Sequence, residues 1–162
     1  MTDHDGSAAV TAVGTAPTSL KEAQRRRRGV QAALDLLERA IAAPSTGREQ
    51  EWVSLAADRL VQLQAAWSNH VCVTEEPDGL FDEVIAEAPR LSHQVNFLRA
   101  DHVRIAALIE GALQLATRPA AEGFISDISE SSVDLLARLT RHRHLGATLV
   151  YEAYHVDMDA AD

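Results

Sequence analysis

The chain has 162 residues, 46% of them apolar, and carries a formal net charge of −9. That length is enough for one domain with a hydrophobic core, and the apolar content argues against wholesale disorder. The negative charge argues against general nucleic-acid binding, which needs a basic face to neutralise phosphates. No apolar run is long enough to span a membrane, and the single cysteine, Cys72, has no partner for an internal disulfide. We therefore expect a soluble cytoplasmic protein that contacts neither nucleic acid nor membrane.

The polar N-terminal segment and the prolines divide the chain. Residues 1–17 are small and polar with few anchoring apolar groups, which predicts a disordered tail before a single domain at 18–158. Four prolines fall at or beside expected helix boundaries, namely Pro17, Pro44, Pro89 and Pro119. They delimit four long segments. Only Pro77 lies inside one, so we expect the second segment to be kinked or broken there.

All four segments have the apolar spacing of a helix. The predicted inward stripes consist of Ala23, Val30, Leu34, Leu37 and Ile41; Trp52, Ala56, Leu60, Leu63 and Trp67; Leu98, Ile105, Ile109, Ala112 and Ala116; and Leu135, Leu139, Leu149, Val150 and Ala153. Capping-box patterns mark helix starts at Ser19–Glu22, Thr46–Glu49 and Asp127–Glu130. Because the connections are short, the sequence predicts an all-α fold, an up-down-up-down antiparallel four-helix bundle.

Helical projection turns histidines from three helices toward the bundle axis. His70 continues the stripe of the second helix, and His142 lies on that of the fourth. On the third helix, Asp101 and His102 straddle the centre of the stripe. The solvent side of the fourth helix carries His144 and His155. At a rise of about 1.5 Å per residue, the three inward histidines can share one layer.

Several polar groups in one buried layer need partners, because an unpaired buried polar group costs about 1–3 kcal/mol. Imidazoles and carboxylates together suit a first-row transition metal such as iron, zinc or manganese. A hydrogen-bonded polar layer that holds water would satisfy the same groups. The residues alone leave both interpretations open.

Several stretches together are similar to the hemerythrin-like, or HHE cation-binding, domain family. They are HVCVTEEPDGLF from His70, PRL from Pro89, LRADHVRI through His102, and LLARLTRHRH at 135–144. The resemblance covers most of residues 20–157. It implies a four-helix bundle with a non-haem di-iron centre that serves in oxygen binding, sensing, or iron and redox handling.

The residues that resemble the ligands of this family are His70, Glu75, Glu76, Asp101, His102 and His142. The acidic pair after His70 comes one residue late, because the helical i+4 position is Thr74. A bulge or the break at Pro77 would correct this spacing. The resemblance implies that Asp101 and His102 together occupy the place of the Glu-His pair on the third helix.

Two positions depart from the family pattern. The i+4 position from His142 is Gly146, which offers no ligand, and the first helix has Arg26 and Arg27 in the region of the expected histidine. An arginine there could pair with a carboxylate and replace the positive charge of a metal. A di-iron centre, a single metal ion and a metal-free descendant all remain compatible with the sequence.

Three functional hypotheses follow. The first is a bundle that binds iron, ahead of zinc or manganese, and stores or senses oxygen, nitric oxide or iron rather than turning over an organic substrate. The second is a metal-free bundle that acts as an interaction or regulatory module, with a protein partner or as a homodimer. The third is a pH response, in which protonation of a buried histidine cluster loosens the core.

The tetrabasic run Arg25–Arg28 is a separate feature of the first helix. Four consecutive helical residues wrap a whole turn, so they cannot form one phosphate-binding face. Contact with an acidic partner is the functional interpretation that this run allows.

Overall fold

The computed structural model describes residues 18–118 and 124–154, and every element in these ranges is helical. In chain order the elements are α1 (Thr18–Ile41), α2 (Glu49–Glu75), α3 (Leu80–Glu87), a 3-10 turn (Pro89–Leu91), α4 (Ser92–Thr117) and α5 (Phe124–Tyr154). The all-α prediction is therefore confirmed for the described ranges. The expected tail at 1–17, the last residues of the expected domain and His155 lie outside them. None of the described helices combines the length and apolar character needed to cross a membrane.

The second predicted helix is broken at Pro77, as expected. α2 ends at Glu75, and Asp78 adopts a left-handed backbone conformation with φ of 61°. The backbone N–H of Gly79 then donates to the carbonyl of Glu76 at 2.8 Å. A Cβ atom on Gly79 would lie only 2.7 Å from that carbonyl oxygen, so this close approach requires glycine. The turn lets α3 begin at once and bury its apolar side chains Leu80, Phe81 and Val84.

None of the three predicted capping patterns lies at the start of its helix, and Ser19 is already within α1, which begins at Thr18. α2 begins at Glu49, and no side chain caps it; the Glu49 carboxylate instead accepts a hydrogen bond from the backbone N–H of Gly47 at 2.8 Å. Thr46 and Gly47 are instead the central residues of a turn, which the backbone N–H of Arg48 closes by donating to the carbonyl of Ser45 at 2.8 Å, and Gly47 adopts φ of 75° there. α5 begins at Phe124, so Asp127 lies within its first turn. An acidic residue there still complements the helix dipole.

The four long helices pack around a common core. α1 contacts α2, α2 contacts α4, α4 contacts α5, and α5 contacts α1. The predicted inward stripes are buried, apart from Ile41 and Val150, which are half-buried. Helical spacing therefore placed the core correctly.

The core divides into two apolar clusters. The larger apolar cluster includes Val30, Leu34, Leu60, Leu63, Ile105, Ile109, Leu135 and Leu139. The smaller apolar cluster includes Leu20, Ala23, Leu80, Val84, Val95, Leu98 and Leu149. Along α1, α4 and α5, polar residues separate the two clusters, and His70 follows the last buried α2 residue of the larger cluster, Trp67. We call them the polar layer, and they are Arg27 on α1, His70 on α2, Asp101 and His102 on α4, and His142 on α5.

Candidate metal centre

Three buried histidines from three different helices meet in the polar layer. His70, His102 and His142 each offer a ligand atom, and these atoms all lie within 4.8 Å of one another. Their ring centroids are 4.9 to 5.8 Å apart. The expectation that the three inward histidines share one level is confirmed, and His144 is exposed as expected. The cluster is compact enough to hold a metal ion.

Carboxylates occupy the Nδ1 side of two of these histidines. His102 Nδ1 lies 2.5 Å from Glu75 Oε1, and His142 Nδ1 lies 3.0 Å from Asp101 Oδ2. A carboxylate on Nδ1 holds the proton there and leaves Nε2 as the lone-pair donor, which is the usual arrangement behind a metal-ligating histidine. His102 Nε2 is buried without a hydrogen-bond partner among the described residues, and so is His70 Nδ1. The cluster therefore contains buried nitrogen atoms that the described protein groups leave unsatisfied.

Asp101 is held by two side chains of α5. Arg138 donates to Asp101 Oδ1 from Nε at 2.8 Å and also from Nη2, while His142 contacts the other carboxylate oxygen. Arg138 and His142 are four residues apart on α5, so they lie on the same helix face. The arginine that pairs with this buried carboxylate is thus Arg138, and neither Arg26 nor Arg27.

The break after α2 distinguishes the two consecutive glutamates. Glu75 is the last residue of α2 and is partly buried beside His102, whereas Glu76 is exposed. Burial raises the pKa of the Glu75 carboxyl, and the charge of Arg99 opposes that rise. Thr74, the i+4 residue from His70, is buried, but its hydroxyl donates back to the His70 carbonyl at 2.9 Å.

Burial keeps the histidine cluster uncharged. Burial, together with a smaller contribution from the repulsion between protonated rings, lowers the pKa of His70 and of His102 to about 3. Burial also lowers the pKa of His142, against the opposing effect of its hydrogen bond to Asp101. All three imidazoles are therefore neutral at neutral pH, which is the form that binds metal ions.

Aromatic side chains wall the cluster. The Trp67 ring lies 5.1 to 5.3 Å from all three histidine rings, centroid to centroid. Phe81 from α3 stacks on His102 at 5.5 Å. Trp67 belongs to the predicted inward stripe of α2, and its position three residues before His70 puts both on one face of that helix. The walls limit the orientations of the imidazole rings.

A cavity of about 40 Å³ borders the cluster between α1 and α5. Its lining includes His70, His142, Trp67, Arg27 and Gly146. A Cβ atom on Gly146 would meet nothing within 4 Å, so the residue that departs from the family pattern leaves open space. On this side of the cluster α1 contributes Arg27, in the region where the resemblance to hemerythrin-like domains implies a histidine.

The structure thus brings together five of the six residues that the sequence singled out. Three histidines form the cluster, two carboxylates hydrogen-bond to its outer nitrogens, and the sixth residue, Glu76, is exposed. Three neutral nitrogen donors suit a divalent transition-metal ion. Comparisons of the chain with protein-family models, with curated proteins and with solved structures find no match.

Proposed function

We propose that the protein binds one divalent transition-metal ion through His70, His102 and His142. The observation that carries this proposal is the set of unsatisfied buried nitrogens, His70 Nδ1 and His102 Nε2, within a cluster of neutral imidazoles. Each such group costs about 1–3 kcal/mol when it has no partner. A bound ion would satisfy them together, and the carboxylates behind His102 and His142 would increase the basicity of both ligands.

The donor set favours a single ion over a di-iron centre. Di-iron bundles use several inward carboxylates as ligands, whereas Asp101 is already engaged by Arg138 and His142. The resemblance to hemerythrin-like domains implies iron, and zinc accepts the same nitrogen donors. The proposal includes an antiparallel, up-down course for the four long helices, because that course would bring the three histidines to one level.

Three protein donors would leave room for a further small molecule on the ion. Two of the three histidines line the cavity, so such a molecule has space beside them. Binding or sensing of a small ligand, with oxygen and nitric oxide as the ligands that the resemblance implies, follows better than turnover of an organic substrate.

One observation favours the metal-free alternative, an interaction or regulatory module. Arg138 supplies a positive charge to Asp101 within the polar layer, so this carboxylate needs no metal ion nearby. That arrangement leaves His70 Nδ1 and His102 Nε2 unsatisfied, however. The metal site accounts for more of the buried polar atoms.

Metal content tests the proposal. Protein is purified without chelators from cells grown with added iron and zinc, and its metals are measured by mass spectrometry. We expect about one ion per chain in the unaltered protein, loss of that ion in His102→Ala, and retention in His144→Ala, which removes an exposed histidine of α5. Absence of metal, together with no rise in Tm on adding iron, zinc or manganese, would refute the proposed site.

A further inference from the structure

One arginine of the tetrabasic run faces the polar layer. Arg25 and Arg28 are exposed. Arg26 forms an ion pair with Glu22 on the preceding turn, and its Nε atom lies 2.7 Å from Glu22 Oε1. Arg27 is half-buried, and burial lowers its pKa. Within 18–118 and 124–154, Arg27 forms no ion pair. A partly desolvated guanidinium without a carboxylate is well placed to meet an anion from outside the fold.

Arg27 lies where the cavity meets an open cleft between α1 and α5. We call this the basic cleft, and it is lined by Arg27, Arg28, Gln31, Arg143 and His144 among others. Arg143 donates to the Gln31 side chain, whose amide nitrogen donates to Asp35 Oδ1 at 2.6 Å. This chain of hydrogen bonds holds Arg143 across the cleft from α5 to α1.

Charge in the basic cleft has one sign. The chain as a whole has a net charge of −9, yet no acidic residue is among the described residues that line the cleft or the cavity. At the inner end, Arg138 balances Asp101, and the histidines are neutral. The positive charge of a bound divalent ion and of Arg27 would then exceed the single negative charge of Glu75. This excess favours an anionic ligand.

The lining of the cavity favours a ligand that carries an apolar group next to its anionic group. Most of this lining is apolar, with Val30, Leu34, Trp67 and Leu139 on the inner side. The cavity has a volume of only about 40 Å³, against the about 10–15 Å³ that one water molecule needs. It therefore admits a short alkyl chain and excludes a long one.

We propose that the basic cleft and the cavity bind a short-chain monocarboxylate, with its carboxylate on Arg27 and its alkyl chain beside His70 and His142. This inference deepens the proposed function, on which it rests, by naming the class of ligand that the cavity beside the metal site would take. Bidentate pairing of a guanidinium with a carboxylate supplies orientation as well as binding energy. The apolar lining supplies the preference for an alkyl chain.

An NMR titration of the full chain tests the inference. Butyrate is added to protein with and without one equivalent of zinc, and butyramide serves as the uncharged analogue. We expect butyrate to shift amide signals of α1 and α5 around the cavity, and butyramide to bind at least tenfold more weakly. Arg27→Gln should weaken butyrate binding at least tenfold, whereas the matched variant Arg25→Gln should leave it unchanged.

A third variant and a second anion complete the test. Arg27→Lys keeps the positive charge and should retain part of the affinity, which separates loss of charge from misfolding. Acetate should bind more weakly than butyrate, because it leaves the cavity unfilled. Equal affinities for butyrate and butyramide, or unchanged binding in Arg27→Gln, would overturn the inference.

Zinc stoichiometry, measured on the same samples, separates the two proposals. Protein that takes up zinc but does not bind butyrate would overturn the monocarboxylate site and leave the metal site standing. Protein that binds butyrate through Arg27 but takes up no zinc would overturn the metal site, and the ligand would then belong to a metal-free pocket.

Discussion

The polar layer has two unlike sides. On the side of α4 and α5, the carboxylate of Asp101 is satisfied by Arg138 and His142. On the side of α1, Arg27 is half-buried without an ion pair in the described ranges, and a cavity adjoins it. A buried ion pair holds both of its side chains in one geometry, whereas an unpaired buried charge has no partner that fixes its position. The first side therefore positions the histidines, and the second leaves space and charge for a ligand.

Acid titration of the metal-free protein should produce the largest effect. His70 and His102 have a pKa of about 3 in the fold against an ordinary value of 6.5. Between these pH values the unfolded chain binds protons that the folded chain excludes, so the free energy of unfolding falls as pH falls. We expect a slope of about 1.4 kcal/mol per pH unit for each histidine below pH 6.5, measured by urea denaturation in the presence of a chelator.

Two variants assign that slope to the buried cluster. His70→Leu removes one titrating group from the polar layer and should reduce the slope by about 1.4 kcal/mol per pH unit, the contribution of one proton. His144→Gln removes an exposed histidine and should leave the slope unchanged. Stability that does not change between pH 6.5 and pH 4.5 would exclude both the buried neutral cluster and the pH response.

Removing the shared carboxylate should break the paired side. In Asp101→Ala, Arg138 and His142 both lose their partner, and Asp101 itself is only 1% exposed. Loss of one member of a buried ion pair costs about 3–5 kcal/mol, and we expect about 3 because Arg138 keeps partial access to water. The measurement is chemical denaturation of the metal-free protein.

Two matched variants calibrate that loss. Asp134→Ala removes an exposed carboxylate from α5 and should change stability by less than about 0.5 kcal/mol. Arg27→Gln should cost less than about 1 kcal/mol, because it breaks no ion pair in the described ranges. If Arg27→Gln costs as much as Asp101→Ala, the charge of Arg27 is paired as firmly as that of Asp101, and the two sides of the polar layer do not differ.

Helical periodicity was sufficient to predict the core and the level of the histidines. Leu60, Leu63 and Ile109 are buried as expected, because a rotation of about 100° and a fixed rise per residue determine which residues share a face and a height. The same projection placed His70 inside and His144 outside. The inward face of each residue follows from one helix alone, whereas the common level of the histidines also depends on the short connections between the helices.

Helical periodicity does not predict which side chains pair with the buried polar groups. The choice of Arg138 for Asp101 depends on the lateral fit of α5 against α4, which the periodicity of a single helix does not contain. The choice between Glu75 and Glu76 depends on where α2 ends before Pro77. The inward position of Arg27, by contrast, was available from periodicity, because Arg27 lies four residues after Ala23 and three before Val30 on the predicted stripe of α1.

Two helical glycines provide the smallest and most discriminating test of the unpaired side. A Cβ atom on Gly146 or on Gly111 would meet nothing within 4 Å, so Gly146→Ala and Gly111→Ala should each stabilise the protein by about 0.5–1 kcal/mol through helix propensity. Only Gly146 lines the cavity. Its added methyl group should remove space for about one methylene of the ligand, a loss of about fourfold in butyrate affinity. If both variants bind butyrate equally well, the alkyl chain does not occupy the cavity beside Gly146.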